Sequence, residues 1–77
     1  MRVVDKKIIP IYFKAVEHGD KRFELRKDED DLQVGDHLCL HEWNGDYTGH
    51  KVNKEIKYVP RNVPELGLMK GYCIVGW

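Results

Sequence analysis

The chain has 77 residues, 42% hydrophobic and 34% charged, with 13 lysines and arginines against 13 aspartates and glutamates. That length holds one domain and leaves no room for a second. Balanced charge at this hydrophobic content argues against a disordered chain and against a polybasic arm that grips any polyanion, so any basic surface is local.

Val3 to Ile9 reads as a first strand, its apolar residues interrupted by Asp5, Lys6 and Lys7. Pro10 suits the first turn of a helix, where its missing N–H has no helical partner. Ile11, Tyr12, Ala15 and Val16 give that helix one apolar face, with Phe13 beside it, and Gly19 is predicted to close it as a left-handed cap. A helix this short needs a sheet to pack on. Lys21 to Lys27 alternates, with Phe23 and Leu25 on one side and Arg22, Glu24 and Arg26 on the other. Asp28 to Asp31 reads as a solvated loop, after which Val34-Gly35-Asp36 turns the chain into a strand over His37–Trp43. Asn44-Gly45 is a strong turn signal, with Gly49 predicted to end the connection. His50 to Val59 reads as a long strand with Val52, Ile56 and Tyr58 on one face. Pro60 and Pro64 bracket an irregular stretch with a helical turn near Leu66, and Tyr72 to Val75 is the last strand. These elements predict an α+β domain, mostly β: a small barrel of about five strands and one short helix, since closure removes exposed strand edges.

The run Gly19-Asp20-Lys21-Arg22-Phe23-Glu24-Leu25-Arg26 delivers the chain's most concentrated chemistry. Glu24 and Arg26 share a strand face at about 7 Å. Lys21 formally lies on the opposite face and joins them only if the turn at Gly19-Asp20 re-aims it. Two cations beside one carboxylate suit a phosphate, while the carboxylate accepts from a base or hydroxyl. The competing reading is a surface salt-bridge ladder, worth about 0–1 kcal/mol.

This G-x-K-x-x-E-x-R run resembles the signature of the activating-signal-cointegrator homology (ASCH) domain, a branch of the PUA-like barrels. FELRK, QVGD, EW and YTG follow in order, and the whole chain looks like a small bacterial and phage-borne subgroup of that superfamily without an assigned function. The resemblance implies a barrel with a cleft beside the helix, lined by Lys21, Glu24 and Arg26, with Gly19 shaping its entrance. It implies RNA, a nucleotide or a nucleoside as ligand. One related branch hydrolyses N4-acetylcytidine with a lysine, a threonine and a glutamate. Lys21 matches that lysine, but Glu24 stands where the threonine would be, which removes the nucleophile. A binding module is therefore expected, with a hydrolase of modified nucleosides or a protein-interaction module as alternatives.

His37-x-Cys39-x-His41 places two imidazoles and a thiol on one strand face. Same-face neighbours lie about 7 Å apart, however, so one metal rarely gathers three ligands from a single straight strand. No metal and no cofactor are expected. Trp43 and Tyr47 flank the Asn44-Gly45 turn and are the aromatics best placed to stack on a base. Lys51, Lys54 and Lys57 do not share a face and read as protection of a strand edge. Serine is absent and Thr48 is the only threonine, which leaves one hydroxyl nucleophile to consider. Cys39 and Cys73 have no CxxC partner and read as buried, reduced thiols. No run approaches the roughly 20 apolar residues of a membrane span. The expectation is a soluble, cytoplasmic protein with no membrane partner, of open oligomeric state.

Overall fold

Most of the apolar runs of the sequence become separate elements. β1 (Val3–Ile8) leads into α1 (Pro10–Glu17), followed by β2 (Phe23–Lys27), β3 (His37–Trp43), β4 (Tyr47–Glu55), a 3-10 turn at Pro64–Leu66, and β5 (Tyr72–Gly76). These elements are those of a computed structural model that describes residues Met1–Trp77. The protein is thus mostly β with one short helix, and no helix is long and apolar enough to cross a membrane.

β1 runs parallel to β3, and β4 runs antiparallel to β3, giving a three-stranded sheet in the order β1-β3-β4. β2 and β5 form a separate antiparallel pair. The chain leaving β4 stitches the two sheets together: Ile56 N donates to Asp36 O, Lys57 N to Gly76 O, Gly76 N to Tyr58 O, and Ile74 N to Pro60 O. No ladder joins β1 to β2 on the other side. There the span is made by a side chain, Arg26 Nη2 donating to the Lys7 carbonyl at 2.6 Å.

The core lies between the sheets and α1. Leu38 and Leu40 on the central strand are fully buried, with Ile8, Phe13, Val16, Leu32, Ile56, Cys73 and Val75 around them. Both cysteines are unpaired and buried, and loss of solvent pushes both thiols up from their ordinary pKa. Glu42 is also buried, on the Leu38–Leu40 side of β3, and accepts from the Thr48 hydroxyl at 2.7 Å.

Four local expectations are corrected, and on β2 a choice that the alternation leaves open is decided. α1 buries Phe13 and Val16 rather than the Ile11–Tyr12 side, and Ile11 is 70% exposed. On β2 the expected alternation is present and the structure decides its sense: Phe23 and Leu25 are 51% and 57% exposed whereas Glu24 is only 6% exposed, so the Glu24 side of the strand faces in. β4 begins at Tyr47, and Gly49 lies inside it at φ 93° rather than ending the turn. The strand stops at Glu55, beyond which the chain transfers to β5; Tyr58 therefore leaves the face of Ile56 and is 69% exposed. The acidic loop is not simply solvated, because it is where distant segments are tied down. Asp28 accepts from Arg61 Nε at 2.8 Å, Asp30 pairs with Lys6, and the Asp30 and Asp31 carbonyls accept from Arg2.

Candidate functional site

The charged run after α1 is shaped by how the helix ends. Gly19 follows the His18 cap at φ 82°, and both Asp20 N and Lys21 N donate back to the Ala15 carbonyl at 2.9 and 3.0 Å. A residue without a side chain suits that left-handed position. The tight exit re-aims Lys21, whose Nζ sits 2.5 Å from Glu24 Oε1. Arg26 Nη2 lies 2.9 Å from Glu24 Oε2, so one carboxylate is held between two cations. Lys21, Glu24 and Arg26 therefore converge, with a net charge of one positive unit.

Beyond Glu24 the row continues in both directions. Lys21 Nζ lies 4.4 Å from the centroid of the Tyr12 ring and 5.5 Å from that of Phe23. Arg26 reaches β1 through the Lys7 carbonyl, and its Nε is buried without a protein partner.

Two open hollows flank this row where the sequence suggested a single cleft. One, of about 500 Å³, is lined by Tyr12, Lys21, Phe23, Glu24 and Leu25. The other, of about 620 Å³, is lined by Asp5, Lys6, Lys7, Arg26, His41 and Tyr47. Both fall within the usual range for small-molecule sites. Tyr47 thus stands beside Arg26, while Trp43 is one step away, its ring under the Lys7 ammonium at 4.8 Å. Gly19 lines neither hollow; its contribution is the turn that aims Lys21.

Sequence reasoning missed Asp5 and Lys7. Parallel pairing sets Asp5 beside Cys39 and Lys7 beside His41, and His41 Nε2 lies 2.8 Å from Asp5 Oδ1. That hydrogen bond holds the Asp5 carboxyl below the usual carboxylate range. The Asp5 carboxylate reinforces the effect of burial in raising the Cys39 thiol. The one available signal was the break of an apolar strand by the three consecutive charges Asp5, Lys6 and Lys7. His37 belongs elsewhere, its Nδ1 2.7 Å from Asn53 Oδ1. Thr48 Oγ1 is committed to Glu42 and accepts from His50 N, away from Lys21 and Glu24.

Residues 4–77 match the family described as Domain of unknown function (DUF3850), which takes in all but the first residue of β1 and everything after it. The chain belongs to that family. It is also similar to an uncharacterised 12.9 kDa protein of Escherichia phage P2, encoded in the region 3′ of GpA, at 41% identity over 56 residues. That alignment covers 71% of this chain and 51% of the phage protein, so the match extends over about half of the relative's length.

Proposed function

We propose that this DUF3850 member is an RNA- or nucleotide-binding module of the ASCH, PUA-like kind, and that the two hollows beside Glu24 and Arg26 take the ligand. In this reading the stitched sheets are a PUA-like barrel whose open seam, between β1 and β2, is the binding side. The observation that carries it is the convergence of Lys21, Glu24 and Arg26, with Lys21 and Glu24 lining one hollow and Arg26 the other. Lys21, Arg26 and Lys7 suit phosphate oxygens, and Glu24 orients the first two. Tyr12, Phe23 and Tyr47, each about half exposed, offer ring faces on which unpaired bases stack, at about 1–3 kcal/mol per base. The buried, unpaired thiols fit a reducing compartment such as the cytoplasm.

The test is an amide-resolved NMR titration with a pool of short single-stranded RNAs. Saturable shifts at residues 19–27 and around Tyr47 are expected. Three phosphate contacts would give a log–log salt slope of roughly −2. Tyr12→Ser and Tyr47→Ser, which leave the Glu24 ion pairs intact, should each weaken binding about five-fold or more. Silence up to millimolar RNA, or shifts confined to other surfaces, would rule the reading out.

A further inference from the structure

We propose that Asp5, Cys39 and His41 form a metal site for a divalent transition ion of the zinc class. The objection to a metal on the His37-x-Cys39-x-His41 pattern was that three ligands cannot converge from one straight strand. The structure meets it by drawing the third ligand from the parallel neighbour: Asp5 on β1 is the register partner of Cys39 on β3. One ligand atom from each of Asp5, Cys39 and His41 lies within 4.8 Å of the other two. A tetrahedral zinc ion with N, O and S ligands at about 2.0–2.3 Å needs separations of roughly 3.3–3.8 Å. The set reaches that by small rotations, the 2.8 Å contact between His41 and Asp5 opening as the thiol closes in. His37 is excluded by its contact with Asn53.

Charge and softness select the ion. A thiolate and a carboxylate cancel two positive charges, and a neutral imidazole completes three protein ligands. As the ion binds, the thiol proton leaves to solvent. Thiolate and imidazole together favour zinc-class ions over magnesium or calcium. Lys51 is paired with His41 across β3 and β4 and bears on both Asp5 and Cys39. It is exposed on the sheet edge, so its long stem can carry the ammonium away from an arriving cation. Asp5 and His41 also line the larger hollow, so the fourth coordination position opens toward Arg26, Lys7 and Tyr47. Three protein ligands with one open position is the arrangement of reactive zinc sites rather than purely structural ones.

The site is independent of the nucleic-acid reading and is tested without RNA. Co(II) titrated into the full reduced chain should bind at one equivalent, with a near-ultraviolet thiolate-to-cobalt band that Zn(II) abolishes by displacement. Cys39→Ser should remove the band, while Asp5→Asn and His41→Gln should each weaken binding roughly ten-fold or more. Asp5 and His41 are at the surface, so these two variants decide the question even if Cys39→Ser fails to fold. Absence of the band at millimolar Co(II), its persistence in Asp5→Asn and His41→Gln at unchanged affinity, or its dependence on Cys73 would overturn the site.

Discussion

A carboxylate buried as deeply as Glu24 is stable only when its charge is matched close by. Lys21 and Arg26 do this, which makes the same two cations candidates for ligand contact and structural partners of Glu24. Arg26→Ala is therefore expected to cost about 1–3 kcal/mol in urea unfolding. The loss should shrink in the Glu24→Gln background, since a neutral amide needs less compensation. Additive losses in that double-mutant cycle would show that the row is not energetically coupled. Asp36 is a second residue with a definite electrostatic consequence. The Gln33 N–H, then the Arg2 N–H and guanidinium, hold its carboxyl below the usual carboxylate range. A depressed folded-state pKa contributes stability that is complete above the unfolded value of about 4 and is lost as pH falls through the folded value. Thermal midpoints measured from pH 6 down to 2 should drop below about pH 4, and Asp36→Asn should lower the neutral midpoint while flattening that acid limb.

At the scale of elements, Gly19 joins a local conformation to the site. A Cβ there would meet no neighbour within 4 Å, so the cost of Gly19→Ala comes from the backbone at φ 82° alone. About 1 kcal/mol is expected in thermal or urea unfolding, with Gly19→Asn milder because asparagine tolerates left-handed caps. Equal stability of all three chains would mean that the turn is not held as described. The elements themselves were largely legible: Pro10 and Gly19 bracketed α1, and β3 was read at its observed bounds. β2 was legible as an alternation, but a period of two does not say which side faces the core, and here the ion pairs around Glu24 accompany the less obvious choice. Gly49 misled because a glycine inside a strand looks like a turn. The convergence of Lys21 depends on the geometry of the α1–β2 exit. The neighbours of Asp5 depend on β1 pairing in parallel with β3, a long-range choice that local spacing does not encode.

The whole molecule is held by few deeply buried groups, so each matters. Leu40 is wholly enclosed, and Leu40→Ala is expected to cost about 2–5 kcal/mol in urea unfolding. For a domain whose total stability is on the order of 5–15 kcal/mol, that is a large share; a loss below 1 kcal/mol would mean that the site collapses around the deletion. The acidic loop adds ties of long reach, linking Asp28 to Arg61 and Asp30 to Lys6. The parallel alignment of β1 with β3 has a kinetic meaning as well. Asp5 and His41 are separated by 36 positions in the chain, and α1 and β2 intervene before β1 finds its partner. Closing so large a loop costs entropy before any contact rewards it, which places the domain among the slower-folding small topologies. Because the larger hollow is made by residues from β1, β2, β3 and β4, it does not exist in any half-formed chain. During refolding, its appearance would therefore mark the completion of the native state rather than an early stage of collapse.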